Sequence, residues 1–272
     1  MSLETVLILI SIGIAAGILS GLFGVGGGII IVPSLLGVYA FTHFDSPYIV
    51  HIAIATSLFT IIFTSLSSAH KHFGHGNVEW KAALYIGLSS AVTVFLFSKI
   101  AILLPGEILK QTFSVVLIIV ALKMLFDKKG KHDDDAADKK PEVFKPWLCL
   151  GIGALSGAIA AFSGLGGGVF VIPLMHYLMK VPIKKAIGTS SAAILITAVA
   201  GVLSYFINSP AGANSIPYSF GMVDTLSALP IIAASIPFAR VGVYLNRKTH
   251  HYLLTKLFAV FIIIVSLKLI FF

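Results

Sequence analysis

From Ile49 to Ala69 the chain reads IVHIAIATSLFTIIFTSLSSA, and from Ala186 to Ile207 it reads AIGTSSAAILITAVAGVLSYFI, both without a single Lys, Arg, Asp or Glu. Uncharged runs of this length match the hydrocarbon thickness of a bilayer, which a helix crosses in roughly 20 residues. They recur along the chain: allowing for ragged ends, apolar runs fall at 5–22, 27–41, 49–69, 79–104, 108–126, 147–163, 167–179, 186–207, 222–245 and 252–271. Charged residues make up only 11% of the 272 residues. A soluble domain carries roughly a quarter. The pattern therefore predicts an all-α polytopic membrane protein, because in lipid an open strand would leave backbone N–H and C=O groups unpaired. The first run has Glu4 and no Lys or Arg ahead of it, so it reads as a retained membrane segment rather than a cleaved signal. The single cysteine, Cys149, rules out an internal disulfide and a multi-cysteine metal site.

A self-comparison divides the chain. GVGGGIIIVP (Gly24 to Pro33) matches GLGGGVFVIP (Gly164 to Pro173), and AIATS (Ala53 to Ser57) matches AIGTS (Ala186 to Ser190). GNVE (Gly76 to Glu79) pairs with GMVD (Gly221 to Asp224), and ALKMLF (Ala121 to Phe126) with SLKLIF (Ser266 to Phe271). The matches keep their order, so the sequence predicts two copies of a unit of about five membrane segments, at 1–126 and 146–272. The stretch between them, 127–145, mixes blocks of both charge signs with little apolar content and reads as a solvated linker.

Lys and Arg set the orientation. Alternating sides from the N-terminus puts Lys71, Lys81, the linker, Lys180, Lys184, Lys185, Arg247 and Lys248 on one face, which the positive-inside rule makes cytoplasmic. The loops FTHFDSPYIVH and NSPAGANSIPYS then face outside, as do both termini. An odd number of segments per unit makes the copies inverted across the membrane. The short runs that follow the glycine clusters each contain a proline, Pro33 and Pro173, and are candidates for broken or re-entrant helices.

Inverted repeats with broken helices are the architecture of many secondary transporters, whose ligand lies near mid-membrane. A helix starting at Gly26 to Gly28, and its counterpart at Gly166 to Gly168, presents unpaired N–H groups and the positive end of its dipole. Two such ends facing one cavity would bind an anion without a formal charge. Alternatively the glycines only permit close helix packing.

At these residues the chain resembles the TauE/SafE family of sulfite-exporter-like membrane proteins. The resemblance covers nearly the whole chain: two apolar halves, a polar central loop and a G-x-G-G-G cluster opening each half. It implies export of a small anion such as sulfite or an organosulfonate. The matching motifs give Gly24, Gly26, Gly27 and Gly28, with Gly164, Gly166, Gly167 and Gly168, and the Thr-Ser pairs as the residues to carry over.

Thr56 and Ser57, with Thr189, Ser190 and Ser191, are candidate hydroxyl donors to the anion, or else bond back to a carbonyl one turn earlier. Arg240, Lys99, Lys123 and Lys268 sit near segment ends, where an ionisable side chain anchors at the interface more often than it serves a site. Glu79 and Asp224 stand where a carboxylate caps a helix N-terminus. His51 and His176 are candidate proton relays, whereas the tract HKHFGH, His70 to His75, reads as loop residues rather than a metal site. No dinucleotide-binding, Walker, triad or zinc-protease pattern occurs in a fitting context, so no enzyme, cofactor or metal is expected. The expected partners are a small anion and membrane lipid, not nucleic acid; a homo-oligomer stays open. The setting is a bacterial or archaeal plasma membrane.

Overall fold

A computed structural model describes residues 2–44, 46–126, 145–210, 219–248 and 263. Nine helices are described: α1 (Leu3–Phe23), α2 (Gly28–Phe41), α3 (Ile49–Phe73), α4 (Trp80–Leu103), α5 (Gly106–Phe126), α6 (Pro146–Ser163), α7 (Gly168–Met179), α8 (Ile183–Ile207) and α9 (Thr225–Lys248). Among the described residues, six helices, α1, α3, α4, α6, α8 and α9, are long and apolar enough to cross a membrane. A short antiparallel hairpin, β1 (Ser219–Phe220) and β2 (Val223–Asp224), leads into α9. Linker residues 127–144 and, apart from residue 263, the tenth apolar run lie outside the described residues.

The ends of these helices follow from local chemistry. Ser2 caps α1, its hydroxyl accepting from the Thr5 N–H at 3.2 Å. α6 opens on Pro146, whose missing N–H costs nothing in a first turn. Both helices stop at a glycine in the left-handed conformation, Gly24 (φ 64°) and Gly164 (φ 67°), whose N–H returns to Ser20 O and Ala160 O respectively. Pro33 and Pro173 lie at matching places inside α2 and α7.

Small residues set the packing. A Cβ built on Gly13 would lie 2.5 Å from Ile231 O, and one on Gly17 2.5 Å from Ser235 O, while Gly21 meets Ala239 and Val243. Residue numbers rise together along this seam, so α1 and α9 run parallel at close approach. α6 lies along α4 in the same way, Gly153 against Ile86 and Gly157 against Ser90. α3 and α8 are the most buried of the spans and form the centre. They run antiparallel, with Ser68 beside Ser191 at one end and Leu58 against Gly201 toward the other. α3 runs with α9, from the Thr56–Asp224 contact to Ser67–Ile236, and α8 runs with α4, from Thr189–Glu79 to Ser204–Phe95. The apolar side chains left outside, among them Leu7, Leu88, Leu96, Leu155 and Leu229, face where lipid would be.

Two sequence expectations need correction. α3 continues through His70, Lys71 and His72, so part of the HKHFGH tract is helical and His72 is fully buried, its Nε2–H donating to Gly21 O at 3.1 Å. Glu79 precedes α4 but its side chain makes no capping bond, whereas Asp224 does cap α9, accepting the Ser227 N–H at 3.1 Å. Glu79 is exposed, where a carboxylate needs no protein donor; Asp224 is buried and must find one.

Candidate site at the paired glycine turns

The two glycine clusters meet. Gly24 to Gly28 and Gly164 to Gly168 are all buried, and each turn is held by glycines with positive φ: Gly24, Gly26 and Gly27 in one, Gly164, Gly166 and Gly167 in the other. The approach is so close that a Cβ on Gly28 would lie 2.5 Å from Gly164 O, and one on Gly168 2.8 Å from Gly24 O. Neither α2 nor α7 has a side-chain N-cap. The carbonyl of each turn thus lies beside the positive dipole end of the other half-helix, a favourable arrangement. Ile61 of α3 and Ile194 of α8 fill the space between the turns: a Cβ on Gly26 would lie 2.9 Å from Ile61 Cγ2, and one on Gly166 2.7 Å from Ile194 Cγ2.

The hydroxyls join the halves reciprocally. Ser57 Oγ donates to Gly164 O at 2.9 Å, and Ser190 Oγ to Gly24 O at 3.0 Å. Thr56 Oγ1 accepts from the Asp224 N–H and Thr189 Oγ1 from the Glu79 N–H, both at 2.9 Å. Ser191 donates to Ile187 O one turn earlier and shares a 3.1 Å hydrogen bond with Ser68. Thr64, which no motif singled out, donates to Gly26 O at 2.9 Å; it stands two helical turns beyond the Thr-Ser pair on the same helix. The sequence expected the glycines and Thr-Ser pairs to lie together, and they do. In this structure Ser57, Ser190 and Thr64 bond the turn carbonyls, whereas Thr56 and Thr189 bond the backbone N–H groups of Asp224 and Glu79, and among the described residues no charged side chain is one of the atoms nearest the turn glycines.

The remaining candidates sit elsewhere. Arg240 and Lys99 are exposed, with Lys99 Nζ 5.4 Å from the centre of the Phe95 ring. His51 is buried in the first turn of α3, donating from Nε2 to Ala101 O at 3.1 Å and meeting Tyr48 edge-on. His176 Nδ1 lies 3.0 Å from Val181 O. Lys123 and Lys268 lie outside the residues whose side chains are described. Among the described residues, no three His, Cys, Asp or Glu come together as metal ligands.

A model of the sulfite exporter TauE/SafE family matches residues 9–269. A probable membrane transporter protein of Methanocaldococcus jannaschii is 32% identical over 242 residues, covering 89% of this chain and 86% of the relative. Probable membrane transporter proteins of Haemophilus influenzae (28% identical) and Bacillus subtilis (26%) each align over 97% of this chain and 97% of their own length. No solved structure matches the chain significantly. With six membrane-capable helices and a family match over nearly its whole length, the chain is an integral membrane protein and belongs to the TauE/SafE family.

Proposed function

We propose that this protein is a secondary transporter, not an enzyme, that exports a small anion such as sulfite or an organosulfonate across a bacterial or archaeal plasma membrane. The observation that carries the reading is the reciprocal pair of contacts between halves, Ser57 to Gly164 and Ser190 to Gly24. Two half-helix starts and one serine hydroxyl from each half converge on one buried place. An anion entering there would take over donors that now serve Gly24 and Gly164, so binding would exchange contacts between halves for contacts to the ligand.

In this reading the halves are inverted-topology repeats. The helix directions support it: α1, α3 and α9 run one way, α4, α6 and α8 the other. With α1 parallel to α3, the chain returns through α2, either as a second crossing or as a re-entrant hairpin with α1; α7 does the same after α6. Basic loops then lie inside, and both termini outside. Lipid surrounds the bundle, and the assembly includes a homo-oligomer as one option. The test is uptake of labelled sulfite and sulfoacetate into proteoliposomes of purified protein. Flux above that of empty vesicles supports the reading; no flux of either anion, or of sulfate, overturns it.

The tight contacts of Gly26 and Gly28 also favour a second reading, a non-transporting membrane scaffold or accessory subunit whose glycines serve packing alone. That reading predicts no anion binding at all.

A further inference from the structure

Away from the glycine turns, Asp224 is a carboxylate only 4% exposed. Oδ2 accepts from the Tyr39 hydroxyl at 3.1 Å and Oδ1 from the Ser227 N–H at 3.1 Å, while its own N–H donates to Thr56. It therefore touches α2, α3 and α9 at once. It also borders a cavity of about 470 Å³ at the end of the bundle where α1 begins. Its wall mixes hydroxyl residues (Ser2, Thr5, Thr42) with apolar ones (Phe41, Phe44, Leu226). Among the described residues lining it, the titratable groups are Asp224 and, from α2, Tyr39; α1 and α9 contribute Ser2, Thr5, Leu226 and Ser227, and α3 meets Asp224 through Thr56. No Lys, Arg or His is among them.

We propose that Asp224 is a proton-binding site reached from this cavity, and that its proton crosses together with the anion. The chemistry favours a proton over a metal ion. Val38 O and Tyr39 O already accept the Thr42 hydroxyl, the Ser2 and Thr5 hydroxyls bond each other at 2.9 Å, and Asp224 is the one carboxylate among the described residues lining the cavity, which is short of the several free oxygens a metal ion takes. A proton needs only one oxygen. When it adds to Oδ2, the Tyr39 hydroxyl rotates from donor to acceptor and the same contact survives in either protonation state. Protonation removes a full negative charge from a residue bonded directly to Thr56, where an anion would be repelled. Proton and anion thus bind together more readily than either alone. The coupling rests on the anion-carrier reading; the proton site does not.

The experiment is pH-difference infrared spectroscopy of the full chain in lipid, comparing wild type with Asp224→Asn and Tyr39→Phe, with the amide band of each spectrum reporting the fold. Asn still caps a helix. The expected result is one component of the carboxylic-acid C=O signal on acidification that is missing from Asp224→Asn and shifted in Tyr39→Phe, which has lost the phenol partner, while the components of the other acidic side chains are common to all three proteins. A carboxylic-acid signal that is the same in wild type and in folded Asp224→Asn overturns the proposal. Should Asp224→Asn not fold, an unshifted signal in folded Tyr39→Phe overturns it equally. In proteoliposomes loaded with a pH dye, a gradient of methanesulfonate, which does not titrate near neutrality, should move protons in wild type and not in Asp224→Asn. Absence of any anion flux in wild type would defeat the carrier reading and with it the coupling, while the infrared signal still decides the site.

Discussion

Ser57 donates its hydroxyl to the carbonyl oxygen of Gly164 across 2.9 Å, from the third helix of one half to the glycine turn of the other. Ser190 returns the contact to Gly24 at 3.0 Å. A carbonyl at a left-handed glycine has left the helix ladder, so a buried hydroxyl is what satisfies it here.

Removing either hydroxyl leaves a buried acceptor without that donor. Ser57→Ala and Ser190→Ala should each lower stability by about 1–3 kcal/mol, and by similar amounts, because the two contacts are equivalent. Thermal unfolding of the purified variants measures this. A loss in one variant and none in the other would show that the two contacts are not energetically equivalent.

Glycines in this chain separate by what surrounds them. An alanine at position 28 would place its Cβ 2.5 Å from Gly164 O, so Gly28→Ala should cost about 1–3 kcal/mol of backbone displacement. Gly37, exposed on the same helix with nothing within 4 Å, should behave oppositely: Gly37→Ala should be neutral or stabilise by up to about 1 kcal/mol. Comparing the melting temperatures of the two variants checks this, and equal shifts would contradict the packing described here.

The spans were legible because glycine and proline punctuate apolar runs: the run at 147–163 is α6 (Pro146–Ser163), and that at 27–41 is α2 (Gly28–Phe41). The partners of the hydroxyls were not. Thr56 and Thr189 read as donors awaiting a ligand, but each accepts a backbone N–H from the other half, a pairing that only the packing of α3 on α9 and α8 on α4 creates. Tyr39 offered no signal either. It looks like one more aromatic in an apolar run until α2 brings its hydroxyl to Asp224. His72 read as a loop residue because Lys71 and Gly74 flank it, yet a buried acceptor on α1 holds it inside the helix.

Lys99 and Arg240 are exposed, and we read them as interfacial anchors. Lys99→Gln and Arg240→Gln should therefore leave anion flux in proteoliposomes within about twofold of wild type, since surface substitutions move free energies by roughly 0.5 kcal/mol. Loss of flux in folded Arg240→Gln would place a charge in the path.

The proposed orientation can be read by labelling single cysteines in a Cys149→Ser background, the native thiol being buried. Lys71→Cys and Lys248→Cys should react only after the membrane is opened, and Phe44→Cys and Asn208→Cys from outside. The reverse pattern would invert the topology, and a mixed one would contradict the inverted repeat.

The account centres on an anion held by the paired turns without a formal charge. Its most direct test is anion-dependent thermal stabilisation of the purified protein by sulfite, sulfoacetate, sulfate and chloride, at fixed ionic strength and pH. Wild type should be stabilised by at least one of them. Thr56→Val and Thr189→Val, measured against their own anion-free baselines, should weaken that binding by about 1–3 kcal/mol, roughly tenfold or more in affinity, while Arg240→Gln matches wild type. Stabilisation abolished in Arg240→Gln and intact in both valine variants would contradict the account.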